Sequence, residues 1–226
     1  MMEGTGMEKQ KYAAIVLAAG SGKRMNSQVH KQYLIIQDRP VLYYSLKEFE
    51  DSAVDEIVLV VGKGEEEFCR REIVDKYGIS KVKAIVEGGK ERYHSVFEGL
   101  KQTSDADYVL IHDGARPYVS KQSINDLVEC LKTYDAGLLM VPCKDTIKEV
   151  KEGIVVKTLK RETLMQAQTP QVFKSEDIKV AYQKAKDEGY VATDDSQLFE
   201  RYIDKDIKAV LGDYSNLKIT TQEDLK

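Results

Sequence analysis

The chain has 226 residues, 42% of them hydrophobic and 32% charged, with both signs mixed along its length. That is the composition of a folded domain rather than a disordered one, and at this size folding buries roughly 70% of the unfolded chain's surface. A net charge of −4 excludes a global field that would draw nucleic acid or anionic lipid, so any phosphate must meet a local basic site.

In chain order, residues 1–10 lack apolar periodicity and are set apart as a disordered N-terminal extension, leaving 11–226 as a single domain. The apolar run 12–19 is too short to cross a membrane and leads into a Gly- and Lys-containing loop, unlike the end of a signal peptide. Strands are expected at 13–17, 56–61, 82–86, 108–111 and 137–141, mostly apolar throughout rather than alternating. Helices are expected at 40–49, with a proline in the first turn, and at 65–77, 91–102 and 121–133. Strands of that kind are covered on both faces, which predicts an α/β fold: a Rossmann-like, mostly parallel sheet flanked by helices. The pattern breaks after Pro142. Segments 146–150 and 154–159 flank Lys151-Glu152-Gly153, and residues 144–166 read as a protruding β-arm. A two-stranded arm is marginal alone, so a second copy of the chain is the economical partner. Helices at 175–189 and 195–203 and a last strand at 217–220 complete the domain. Cys69, Cys130 and Cys143 are far apart and lack CxxC spacing, which argues against a disulfide framework or a zinc site and points to a reducing cytoplasm.

Four segments carry candidate chemistry. Leu17-Ala18-Ala19-Gly20-Ser21-Gly22-Lys23-Arg24-Met25 leaves a buried strand with two glycines, a hydroxyl and two cations close together. Its backbone N–H groups can surround a triphosphate, because glycine has no Cβ to block approach. It is not a Walker loop, since Leu17 and Arg24 stand where Gly and Ser/Thr are required, nor a dinucleotide loop, since Met25 stands where the third Gly is required. Lys31, followed by Gln32 and Tyr33, adds a second basic point. Gly88-Gly89-Lys90-Glu91-Arg92-Tyr93-His94-Ser95 lies where open parallel sheets bind ligands, and serves equally as a turn into a helix. His112-Asp113-Gly114-Ala115-Arg116-Pro117 puts a carboxylate at a strand end. That suits magnesium, which takes few protein oxygens, or else an Asp–Arg pair that pins a turn. Thr193-Asp194-Asp195-Ser196 reads as a helix start.

Leu-Ala-Ala-Gly-x-Gly-x-Arg-Met followed by Lys-Gln-Tyr resembles the opening of the sugar-nucleotide pyrophosphorylase-like nucleotidyltransferases. With His112-Asp113-Gly114-Ala115-Arg116, Lys144-Asp145-Thr146-Ile147-Lys148, Gln168-Thr169-Pro170-Gln171 and Asn216-Leu217-Lys218-Ile219-Thr220, the chain resembles, within that group, the 2-C-methyl-D-erythritol 4-phosphate cytidylyltransferases. The resemblance implies an enzyme that transfers CMP from CTP to 2-C-methyl-D-erythritol 4-phosphate and releases pyrophosphate, in the non-mevalonate route to isoprenoid precursors. By the same resemblance Ala18, Ala19, Gly20, Ser21, Gly22, Gly89, Arg92 and Ser95 hold the nucleotide. Arg24, Lys31 and Lys218 stabilise charge on the phosphates, and Asp113 binds Mg2+. Arg116, Thr146, Arg161 and Thr169 hold the acceptor, with the arm crossing to the partner of a homodimer. A ribitol 5-phosphate cytidylyltransferase shares the fold and a similar segment ending in Lys218, but residues 112–116 and 144–148 favour the first acceptor. A non-catalytic nucleotide-binding protein is expected to lack a catalytic point, whereas Arg24, Lys31, Asp113 and Lys218 are all present.

Overall fold

Aliphatic, β-branched runs bury both faces only inside a sheet with helices above and below, and the computed structural model, which describes residues 9–20, 30–103, 105–220 and 222–225, has that arrangement. The first half of the chain forms β1 (Tyr12–Ala18), β2 (Ile35–Ile36), β3 (Arg39–Pro40), α1 (Val41–Glu50), β4 (Glu56–Val61), α2 (Glu66–Cys69), β5 (Val82–Glu87), α3 (Arg92–Leu100) and β6 (Tyr108–Asp113). The second half forms α4 (Lys121–Cys130), β7 (Ala136–Pro142), β8 (Lys148–Lys151), β9 (Ile154–Thr158), β10 (Met165–Lys174), α5 (Ser175–Glu188), α6 (Asp195–Tyr202) and β11 (Ile207–Leu211).

Seven strands make one sheet in the order β11-β7-β10-β6-β1-β4-β5. Its neighbours pair in parallel except around β10, which runs antiparallel to both β6 and β7. One face is covered by Leu42, Leu46 and Phe49 of α1 with Ile124 and Leu127 of α4. The other is covered by Val96 of α3, Ile178 and Tyr182 of α5, and Phe199 of α6. The chain passes from β1 to β4 on one side, and β6 then pairs on the other side of β1. That reversal opens a crevice at the carboxyl ends of β1 and β6, where open α/β sheets take ligands.

Several expectations need correction. Residues 217–220 form no strand; Ile219 donates its N–H to the Ala115 carbonyl at 2.8 Å and buries its side chain with Ile36 and Val41. The apolar Leu217 and Ile219 gave the strand pattern, but Leu217 is exposed and the backbone of Ile219 pairs with the loop after β6. The edge strand is instead β11, which pairs with β7. β10 was not expected as a strand, because Pro170 argues against a central position; the pairing register with β7 shifts between Ala167 and Gln171, at the proline. Pro40 precedes α1 as its cap residue and pairs in β3 rather than opening the helix. The helix expected at 65–77 is α2 followed by π-helical bonding over Arg70–Asp75. Lys9 and Gln10 contact the domain through Asp55 and Tyr12, and residues 1–8 lie outside the described residues.

The arm is a hairpin of β8 and β9. Glu152 and Gly153 form its tip with φ of 51° and 79°, the two positive angles that a two-residue type I′ turn demands. Every residue of both strands is exposed in the single chain.

Phe173 of β10 is fully buried and its ring lies 5.2 Å from that of Phe199. Phe173→Ala is expected to cost about 3–5 kcal/mol of stability, read by urea denaturation.

Candidate active site

Beyond the carboxyl ends of β1 and β6 lies a cleft of about 380 Å³, within the usual range for small-molecule sites. Three chain segments and the C-terminal stretch build its walls.

The first wall continues from β1 through Ala18, Ala19 and Gly20. The buried Gln32 side chain donates to the Ala18 carbonyl at 2.5 Å, which ties the Lys31–Tyr33 turn to the end of β1 and sets Lys31 on the cleft wall. Tyr33 anchors the same turn from behind, with its hydroxyl donating to Glu65 at 2.7 Å and its ring edge-on to Phe68. Lys31 Nζ donates to the Ile219 carbonyl at 3.0 Å, across the cleft mouth from the C-terminal stretch. Ser21, Gly22 and Arg24 lie outside the described residues.

The second wall is the turn after β5. A Cβ on Gly88 would stand 2.5 Å from Ala19 Cβ and 2.7 Å from Ser95 Oγ, so only glycine lets this turn close on the β1 loop. Ser95 Oγ accepts the Gly89 N–H at 3.2 Å, and both residues line the cleft as expected of nucleotide contacts.

The third wall carries the charges. Asp113, at the last position of β6, accepts from Arg92 Nε at 3.0 Å on Oδ1 and from Lys218 Nζ at 2.7 Å on Oδ2. Burial alone would raise its pKa, but Arg92 and Lys218 hold the carboxyl well below the usual range, so it stays ionised. The other side of the Arg92 guanidinium meets Asp195 of α6 bidentately, at 2.8 and 2.7 Å, the geometry in which arginine binds carboxylate most strongly. Asp195 is completely buried and also accepts from the Tyr182 hydroxyl. Burial opposes the Arg92 charge, yet Asp195 and Asp113 raise its pKa.

Three of the expected site residues have partners within the chain. Arg92, read as a nucleotide contact, lines the cleft, but its guanidinium is turned to two carboxylates. Arg116 does not line the cleft; it donates to the Asn216 carbonyl at 2.6 Å and so holds the stretch that carries Lys218. Thr169 is buried, its hydroxyl accepting the Asp113 N–H at 3.1 Å and bonded to His112 Nδ1 at 3.0 Å. It therefore fixes β6 against β10. Burial pushes the His112 imidazole down to about 3, so the ring is neutral and structural. Thr146 and Arg161 are exposed on the arm and do not line the single-chain cleft; Arg161 donates to the Lys144 carbonyl at 2.7 Å.

The family model described as 2-C-methyl-D-erythritol 4-phosphate cytidylyltransferase matches residues 12–226. The chain belongs to this family. A relative of that name from Alkaliphilus metalliredigens is 47% identical over 218 residues, covering 95% of this chain and 90% of its own. Another, from Lachnoclostridium phytofermentans, is 46% identical and covers 96% of this chain and 94% of its own. The crystal structure of 4-diphosphocytidyl-2C-methyl-D-erythritol synthase from Anaerococcus prevotii superimposes with a TM-score of 0.85 at 36% identity, covering 96% of this chain and 93% of that one.

Sequence reasoning missed what Asp195, Tyr182 and Gln32 do for this cytidylyltransferase-family site. Asp195 follows the true helix cap, Asp194, which accepts the Gln197 N–H at 3.0 Å. Its only local signal was an acidic first turn, and its partner Arg92 is 103 residues away.

The two cations differ in the carboxylates they hold: Asp195 beside Arg92 is fully buried, whereas Asp113 beside Lys218 also pairs with Arg92. Arg92→Ala leaves Asp195 buried without a counter-ion and should cost about 3–5 kcal/mol. Lys218→Ala removes a side chain that is one-third exposed and should cost about 1 kcal/mol or less, since Asp113 keeps Arg92. Chemical denaturation of the two variants checks the order.

Proposed function

We propose that this chain transfers CMP from CTP to 2-C-methyl-D-erythritol 4-phosphate, giving 4-diphosphocytidyl-2-C-methyl-D-erythritol and pyrophosphate. The observation that carries the reading is a switch-point cleft lined by Lys31, with Arg92 and Lys218 on one ionised carboxylate, in a chain of this family. The triphosphate lies along Ala18–Gly20 toward Lys31, and the cytidine lies against the Gly89–Ser95 wall. The acceptor is a phosphate monoester, already anionic near neutral pH, so no protein nucleophile or base is required. One of its oxygens forms a bond to the α-phosphorus as the bond to pyrophosphate breaks in line. Lys31, Lys218 and, by the sequence motif, Arg24 meet the charge that develops on the phosphates.

Asp113 is the carboxylate that fits Mg2+: each oxygen accepts one cationic donor and keeps a second lone pair. Among the described residues no three His, Cys, Asp or Glu side chains form a metal cluster, which suits an ion that takes most of its ligands from phosphate and water. Bound there, magnesium would neutralise phosphate charge and favour departure of pyrophosphate.

The arm supplies the acceptor contacts in the same proposal. Val150, Ile154, Val155 and Val156 are each more than half exposed, a surface that a second copy would cover, bringing Thr146 and Arg161 to the partner's cleft. Among the described residues no helix is long and apolar enough to cross a membrane, and the three cysteines are unpaired. A reducing cytoplasm suits both, with small phosphorylated molecules rather than nucleic acid or membrane as partners.

Two experiments test the reading. Pyrophosphate release is measured from CTP and Mg2+ with 2-C-methyl-D-erythritol 4-phosphate, with ribitol 5-phosphate, and with no acceptor. Release with the first alone is expected; release with ribitol 5-phosphate alone reassigns the acceptor, and release with neither removes the function. Lys31→Ala should lower turnover by about 10²–10³-fold with little change in melting temperature. Secondly, sedimentation should give a dimer, and Thr146→Ala or Arg161→Ala should raise KM for the acceptor more than for CTP. A fully active monomer would remove the arm's role.

A further inference from the structure

Asp195 is fully buried and forms no part of the cleft wall, so no substrate atom reaches it. Yet its carboxylate fixes a group that lines the cleft. The bidentate contact with Nη1 and Nη2, at 2.8 and 2.7 Å, sets the plane of the Arg92 guanidinium and leaves Nε as the edge that faces Asp113 at 3.0 Å. Because Nε occupies Oδ1 of Asp113, Oδ2 is the oxygen left for Lys218 at 2.7 Å.

Asp195 is itself held by Tyr182, and its neighbours in the chain by Gln171. Tyr182 of α5 donates its hydroxyl to the Arg92-bound oxygen, and the Tyr93 ring stacks on Tyr182 at 5.0 Å while its own hydroxyl donates to the Tyr182 carbonyl. Gln171 of β10 clamps the start of α6, donating to Asp194 at 3.0 Å and accepting the Ser196 N–H at 2.8 Å. A carboxylate this firmly placed, bonded to an arginine whose remaining donor edge is already directed, transmits position.

We propose that Asp195 is a positioning residue for the transfer reaction: acting through Arg92, it sets where Asp113 and Lys218 stand in the cleft. The proposal rests on the cytidylyl-transfer reading for its kinetic consequence but not for its geometric one. When Asp195 becomes Asn, the Tyr182 bond survives on the amide oxygen, while the amide NH2 faces a guanidinium N–H and repels it. Arg92 then turns toward Asp113, takes both of its oxygens and displaces Lys218.

The experiment combines kinetics and spectroscopy on the full chain. In steady-state assays Asp195→Asn should lower kcat by roughly 10–100-fold, the range for residues that orient a reacting group from behind, with KM for CTP little changed. In an Arg92→Gln background the same substitution should have no further effect on kcat, because the residue it works through is gone. Losses that multiply in the double variant, or wild-type kcat in Asp195→Asn, overturn the proposal. If Asp195→Asn does not fold, Asp195→Glu carries the kinetic test: it keeps the charge and moves the carboxylate by one methylene, and wild-type kcat in that folded variant is equally fatal. The spectroscopic arm needs no turnover. Nitrogen-15 spectra of arginine side chains should show hindered Nη rotation at Arg92 in the wild type and its loss in whichever Asp195 variant folds; an unchanged Arg92 signal refutes the geometry even if the wild-type enzyme proves to use another acceptor.

Discussion

A guanidinium can be withdrawn from water at Arg92 only because carboxylates stand on two of its edges. Asp195, Arg92, Asp113 and Lys218 form an alternating row of charges that starts in the core beneath α6 and ends in the cleft. Asp195, at the buried end of the row, depends on Arg92 most, since an unpaired buried charge costs several kcal/mol. The row therefore ties four separate pieces of chain together: the starts of α3 and α6, the end of β6, and the C-terminal stretch. Much else is support for it. Thr169 holds the Asp113 backbone, Arg116 holds Asn216, and the Asn216 amide donates in turn to the Thr169 carbonyl at 2.9 Å.

The sheet explains why the row lies where it does. The order reverses on either side of β1, which leaves the carboxyl ends of β1 and β6 uncovered while both faces are packed by helices. A strand-end carboxylate at Asp113 is thus lined by backbone on one side and open to ligand on the other. Gly88 permits the β5 turn to approach β1 closely enough to finish the cleft.

Much of this was legible in the sequence because it is written locally. Runs of mostly apolar residues marked β1, β4, β5, β6 and β7, and the motifs following β1, β5 and β6 placed Lys31, Ser95 and Asp113 at one edge. What could not be read was pairing across distance. Nothing near Arg92 in the chain tells that it has carboxylate partners 21 and 103 residues away. Thr169 is a similar case, since its hydroxyl serves the backbone of a strand 56 residues earlier. β10 was hidden by Pro170, and the 217–220 segment imitated a strand although of its two aliphatic side chains only Ile219 is buried. β11 lies at the sheet edge, where its partly exposed side chains give a weak pattern.

The hairpin β8–β9 leaves from the end of β7 and returns into β10, and those two strands are neighbours already bonded at Pro142 and Met165. Where the chain departs and where it comes back are thus sealed together by sheet pairing, with the Cys143 N–H also donating to the Leu164 carbonyl at 3.1 Å. Everything outside that seal is an interchangeable attachment. Substitutions, insertions or exchanges within it leave the sheet and the row of charges undisturbed, so over evolutionary time such a scaffold is free to try new acceptors while keeping one way of handling a nucleoside triphosphate.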